Sequence, residues 1–101
     1  KNMSTIGAEQ ALKHLEGWTT ATSGKAISKS FEFKDFMDAW SFMNTCAMKA
    51  QCMDHHPEWS NVYNKVDVTL TTHDAGDVTE KDLELAVFMD VRAKTIHYVP
   101  E

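Results

Sequence analysis

Three of the five histidines in this chain fall within nineteen residues, His55 and His56 side by side and His73 at the end of an alternating stretch. They lie in the segments Asp54-His55-His56-Pro57-Glu58-Trp59 and Thr72-His73-Asp74. Imidazole, with an ordinary pKa of about 6.5, is the side chain that gives and takes protons near neutrality. A loop holding two imidazoles, opposed to a strand end holding a third, can supply a general acid and a general base to the cleft between residues 54–59 and 71–74. Asp54 and Asp74, each next to a His, are placed to orient a ring.

Two other uses of these residues compete. Zinc binds imidazole readily, but adjacent histidines diverge, and the usual His-x₃-His and Cys-x₂-Cys spacings are absent. A purely structural role has one His capping the preceding helix, another bonding the loop backbone, and His73 as a solvated strand end. Trp59 and Tyr63 serve either as sheet-packing aromatics or as flanks for a flat heterocycle. His14 and His97 stand alone and read as surface residues. Cys46 and Cys52 lie in an apolar helical pattern, as buried inert thiols would, and their spacing puts them on different faces. That argues against a disulfide and for a reducing compartment.

The elements that position the histidines follow from periodicity. Ile6, Ala8, Ala11, Leu12 and Leu15 predict a helix over 5–16, capped by Ser4 or Thr5 and stopped at Gly17. Residues 18–22 and 25–33 predict a hairpin, with Ile27, Phe31 and Phe33 on one parity. Over 34–53, apolar residues from Phe36 to Met53 cover roughly 160° of a helix, wider than the stripe one sheet requires. Met37 and Met48 widen it further, so either a partner chain covers the excess or the helix sinks deeper into its own core. A second hairpin spans 58–63 and 65–73, turning at Asn64-Lys65, with Val66, Val68, Leu70 and Thr72 inward and His73 outward. Thr79 caps a last helix over 80–93, with Leu83, Ala86, Val87 and Val91 on one side and Leu85, Phe88 and Met89 on the other. The segment from Thr95 onward is too mixed to assign. The order helix, hairpin, helix, hairpin, helix predicts an α+β domain spanning 1–101: a four-stranded antiparallel sheet with three helices on one face.

At 101 residues the chain supports one modest core, and 43% hydrophobic with 25% charged residues is ordinary for a globular domain. A formal net charge of −5 argues against a direct nucleic-acid partner. No apolar run approaches a membrane span, the N-terminal stretch lacks the apolar core of a signal peptide, and four glycines form no phosphate loop.

The segments 54–59, Asn61-Val62-Tyr63-Asn64-Lys65-Val66 and 72–74 together closely resemble the pterin-4a-carbinolamine dehydratases. Phe31-Glu32-Phe33-Lys34-Asp35-Phe36 resembles that family's strand-to-helix junction and Gly17-Trp18 its first strand, so the likeness covers most of residues 10–90. The resemblance implies removal of water from 4a-hydroxytetrahydrobiopterin to give quinonoid dihydrobiopterin, without metal or cofactor. His55 and His73 would be the principal acid–base pair and His56 an assistant. Asp54, Thr71, Thr72 and Asp74 would flank the pterin. It also implies a homotetramer, a dimer of dimers, joined through the long helix. The setting would be cytoplasmic, and nuclear where a relative doubles as a coactivator holding the dimerisation helix of a homeodomain factor. One position departs from the pattern. Gln51, four residues before His55, stands where relatives carry an ionisable group, so it can bond an imidazole but brings no charge.

Overall fold

Alternation in two strands creates the apolar sheet face on which the helices pack. Ile27 and Phe31 from β2 (Ala26–Glu32) and Val66, Val68 and Leu70 from β4 (Lys65–Leu70) are buried on one side. The two strands run antiparallel with Ile27 opposite Leu70 and Phe31 opposite Val66. β1 (Thr19–Ala21) adds to β2 and β3 (Glu58–Val62) adds to β4, so the sheet order is β1-β2-β4-β3. This computed structural model describes residues 4–97. The α+β fold expected from the sequence is the one observed: α1 (Ala8–Leu12), α2 (Phe36–Met53) and α3 (Glu80–His97) alternate with the two hairpins.

α2 starts where Asp35 accepts the Asp38 N–H at 2.9 Å, an ordinary N-cap. It buries Ala39, Phe42, Cys46 and Ala50, one row at helical spacing. Phe42 is central: its ring lies 4.7 Å from Phe31 and 5.0 Å from Phe33, centroid to centroid. Its other side carries apolar residues into solvent, Met37 at 77%, Trp40 at 55% and Met48 at 64% exposure. The wide apolar arc is therefore two faces, one buried in the core and one open.

Several boundaries differ from the sequence expectation. Gly7 has a φ of +83°, which the right-handed helix cannot accept, so α1 begins at Ala8 rather than at residue 5. Thr5 does not cap it; that residue bridges to Thr79 instead. The second hairpin turns at Tyr63-Asn64, one residue early, with Tyr63 at a φ of +51°. β4 stops at Leu70, and α3 runs on to His97, beyond residue 93. The face of α3 is also rotated from the one expected: Leu85, Ala86, Met89 and Ala93 are buried, whereas Val87 and Val91 are exposed. Residues 98–101 of the unassigned segment lie outside those described.

Cys46 is buried and Cys52 exposed, both free, so the expectation of two buried thiols holds only for the first. Burial pushes the Cys46 thiol up to about 12, against the lowering influence of Arg92. In the unfolded chain Cys46 would ionise near its ordinary value of 9.0, so folding loses stability as pH rises from there towards about 12. Titration of the native protein with a thiolate-specific disulfide reagent is expected to label Cys52 and to reach Cys46 only on unfolding. Equal labelling rates for the two in native buffer would contradict that burial.

Candidate active site

The helix that precedes the His pair ends in a way that fixes where His55 sits. Asp54 adopts the left-handed conformation (φ 54°, ψ 44°), tolerated by Asp better than by most residues. Its N–H reaches the Gln51 carbonyl at 3.1 Å, and the His55 N–H reaches that of Ala50 at 3.0 Å. These two bonds form a Schellman closure of α2, with His55 as the residue that turns back over it. Pro57 then blocks any return to helix.

His55 is 8% exposed, and its Nε2 lies 2.5 Å from Oδ1 of Asp82, which is fully buried. The other oxygen of Asp82 accepts the Thr72 hydroxyl at 2.7 Å and the Thr79 N–H at 2.9 Å. Thr72 has one hydroxyl hydrogen and gives it to Asp82. The 2.7 Å contact between Thr72 and Thr79 must then be donated by Thr79, whose oxygen in turn accepts the Lys81 N–H at 3.3 Å. Every donor in the network points towards Asp82, which acts purely as an acceptor. His55 Nε2 therefore carries a proton, and Nδ1 is the variable nitrogen. Nδ1 has no protein partner, and Arg92 Nε is the single buried side-chain nitrogen or oxygen without one among the described residues, so Nδ1 reaches the surface of the cleft.

The other two imidazoles are held more loosely. His56 Nε2 donates to Gln51 Oε1 at 3.0 Å, on the surface. His73 Nε2 meets Glu58 Oε2 at 2.9 Å, with both side chains more than half exposed, so solvent screens the pair. Gln51 bonds an imidazole, as the sequence allowed. Gln51 serves His56, and His55 has a carboxylate of its own, Asp82. Asp54 and Asp74, expected to orient the rings, make no hydrogen bond to them; Asp82 and Glu58 do so instead.

His73 is carried by the short loop after β4. The Thr72 N–H bonds the Asp77 carbonyl at 3.1 Å, and the Gly76 N–H returns to Thr72 at 2.9 Å, which closes the loop. Thr71 donates its hydroxyl to the Lys25 carbonyl at 2.7 Å. The hydroxyl hydrogens of Thr71 and Thr72 are thus both committed within the protein, leaving their oxygens as acceptors.

A cleft of about 270 Å³ brings together Asp54, His55, His56, Thr71, Thr72, His73 and Asp74, all seven residues expected from sequence. Lys81 joins them and was not expected. A larger groove of about 520 Å³ lies between the end of α1, β2 and α3. Its Asp90 is occupied by Lys29 at 2.8 Å and by the Trp18 indole at 3.1 Å, so that carboxylate is spent on the fold. The smaller cleft is the one lined by three imidazoles. No cluster of three or more His, Cys, Asp or Glu suited to a metal ion occurs among the described residues. No helix there is long and apolar enough to cross a membrane.

Asp82 is the residue that sequence reasoning missed. Thr79-Glu80-Lys81-Asp82 has the Ser/Thr-x-x-acid spacing of a capping box, and that signal marks Asp82 as the partner of the Thr79 backbone.

Comparison with known proteins identifies the family of this α+β domain. The family model described as pterin 4 alpha carbinolamine dehydratase matches residues 1–91, and the chain belongs to that family. A protein of Sinorhizobium fredii (strain NBRC 101917 / NGR234), provisionally named a pterin-4-alpha-carbinolamine dehydratase, is 56% identical over 86 residues, 85% of this chain and 81% of that one. A Sinorhizobium medicae (strain WSM419) protein with the same provisional name is 55% identical over 87 residues, 86% and 82% of the two chains. The crystal structure of a transcriptional coactivator/pterin dehydratase from Brucella melitensis matches with a TM-score of 0.81 at 48% identity, covering 84% and 90% of the two chains. A pterin dehydratase-like protein described as a RuBisCO assembly factor in the alpha-carboxysome shares the fold, with a TM-score of 0.66 at 21% identity over 79% and 93%.

Removing the buried acceptor is the sharpest test of this arrangement. Asp82→Asn turns an amide N–H₂ towards groups that are themselves donors, and is expected to cost about 3–5 kcal/mol in urea unfolding. Glu58→Gln, at the solvated pair, is expected to leave stability almost unchanged. Similar midpoints for the two variants would show that the network does not bear on folding.

Proposed function

We propose that the protein dehydrates 4a-hydroxytetrahydrobiopterin to quinonoid dihydrobiopterin, with His55 and His73 as the acid–base pair. Loss of water breaks the C4a–O bond, takes the proton from N5 and closes the N5=C4a double bond. One group must deliver a proton to the departing oxygen and another must receive the N5 proton. The observation that carries this reading is the state of His55: with Nε2 tied to Asp82, its Nδ1 is directed to the cleft as a lone pair or as an N–H. His73, which lines the same cleft and is bonded by Glu58, has its other ring nitrogen for the complementary transfer. His56 assists from the rim. Asp54, Thr71, Thr72 and Asp74 flank the pterin, Thr71 through its hydroxyl oxygen, whose hydrogen is used on Lys25, and Thr72 as wall, because its hydroxyl and backbone N–H are spent on Asp82 and Asp77. The reading needs no metal and no cofactor.

Freshly generated 4a-hydroxytetrahydrobiopterin, assayed against its spontaneous dehydration, tests the activity. His55→Ala and His73→Ala are each expected to lower turnover by about 10²–10⁴-fold. Losses in the double variant should fall short of the product of the two, because both groups serve one elimination. Near wild-type turnover in both single variants would leave the cluster as scaffold.

We also propose that the open face of α2 packs against further copies of this chain, giving a homotetramer. Met37, Trp40 and Met48 are large apolar groups on one helix, more than a solvated surface helix ordinarily shows. The dimerisation helix of a homeodomain partner, in the coactivator role, would have to compete for that face. Met43 is half-buried against the core, so Ala47→Glu and Met48→Glu on the outer side are the informative changes. Both are expected to lower the mass seen by light scattering from about four chains. A wild-type monomer at micromolar concentration would dispose of the proposal.

A further inference from the structure

The cleft holds two sorts of polar group, and the second sort has no function inside the chain. All three imidazoles have protein partners: His55 with Asp82, His56 with Gln51 and His73 with Glu58. The side chains of Asp54, Asp74 and Lys81 line the same space and make no hydrogen bond or ion pair among the described residues. Of the three half-buried lysines among the described residues, Lys29 pairs with Asp90 and Lys49 with Glu84, whereas Lys81 has no partner among them.

Lys81 is also misplaced for stability. It occupies the second residue of α3, between Glu80 and Asp82. A helix start favours negative charge and disfavours positive, because its free N–H groups already carry partial positive charge. Partial burial without a counterion adds a desolvation cost. Its backbone is pinned by the capping box, since the Lys81 N–H donates to Thr79 Oγ1 at 3.3 Å, so the residue is held at the cleft by the bonds that hold Asp82. A cation kept in such a place and unpaired is set up to meet a ligand acceptor.

The charges also say what kind of ligand fits. One ammonium with two carboxylates, none of them paired, offers a ligand both a donor and acceptors, which suits a ring with separate donor and acceptor edges. A pterin has that pattern: N3–H and the 2-amino group donate, and the neighbouring O4 accepts. We propose that Lys81 is a specificity-determining residue that donates to the C4 carbonyl oxygen of the pterin ring and so selects 4-oxo over 4-amino heterocycles. The assignment rests on the dehydratase reading, and it concerns binding rather than proton transfer. A site that offers a donor to a carbonyl rejects an amino group there, because two donors then face each other.

The test uses the full-length wild-type protein and two probes, 7,8-dihydrobiopterin and its 2,4-diamino analogue, titrated calorimetrically in mildly alkaline buffer where both rings are neutral. Wild type is expected to prefer the 4-oxo ring. Lys81→Met should weaken that ring by about 10- to 100-fold, the usual worth of a hydrogen bond with one charged partner. Binding of the diamino ring should not weaken, so the preference disappears. Lys81→Arg should restore much of it. In the dehydratase assay the loss should appear in KM, with turnover changed far less. Thermal unfolding of Lys81→Met should be equal to wild type or higher, which separates lost binding from lost folding. Unchanged affinity and preference in Lys81→Met, with an active wild type, would overturn this inference alone. A wild-type chain that neither binds 7,8-dihydrobiopterin nor accelerates the dehydration would overturn the dehydratase reading and this inference together.

Discussion

One buried carboxylate holds the working part of this molecule together. Asp82 is wholly removed from water, where an unpaired charge would be intolerable, and the fold surrounds it with donors from three separate segments. The Thr79 N–H comes from the start of α3, the Thr72 hydroxyl from the loop after β4, and the imidazole of His55 from the loop after α2. Each segment alone could shift by an ångström without disturbing its own helix or strand. Sharing one acceptor denies them that freedom. The cleft inherits its geometry from the cap of a helix whose Leu85, Ala86 and Met89 are fixed in the core, so precision at the site is core packing passed along a short chain of hydrogen bonds.

The three imidazoles show how burial grades constraint. The bond from His55 to Asp82 lies in a low-dielectric interior and fixes the ring and its tautomer. His56 has a neutral amide, and His73 an exposed carboxylate that water and salt weaken. One histidine is therefore preset, and the others retain freedom to settle on a bound ring. The Gln51 departure falls on the loosely held side of this scale, where a charge would contribute least. The ring that the sequence pattern associated with that position obtains its carboxylate from the opposite helix.

The sheet was legible in the sequence because its inner face alternates cleanly: Ile27 and Phe31, then Val66, Val68 and Leu70. Thr72 continued that inward parity, and His73 the outward one, even though β4 itself ends at Leu70. The histidine cluster was legible because three scarce residues flanked a Pro turn and a strand end. What stayed hidden shares one cause. Reading only apolar residues into the core of α3 made Val87 and Val91 candidates for burial, since a charged residue is a poor guess for a helix interior. With Asp82 counted as inward, positions 82, 85, 86, 89 and 93 form a single stripe and the phase of the helix follows. The same omission hid the partner of His55. The short α1 was missed for a backbone reason: Ile6 fits an apolar period, but Gly7 turns the chain away from the helix.

Lys81 and Asp82 are adjacent, and each breaks a rule of helix or core design in the opposite sense. Asp82 puts a charge in the interior, and the conflict is resolved within the chain, because three donors converge on it and the capping box uses its charge at the favourable end of the helix dipole. Lys81 puts a charge of the unfavourable sign at the same helix end, and no side chain among the described residues pairs with it. A conflict left standing at the wall of a cleft points outward, to a ligand of the kind proposed above. A backbone that must place Asp82 against His55 necessarily places the preceding residue at the rim. The His55 ring and the cleft-lining ammonium of Lys81 are thus placed by consecutive residues, Asp82 and Lys81, on one turn of one helix.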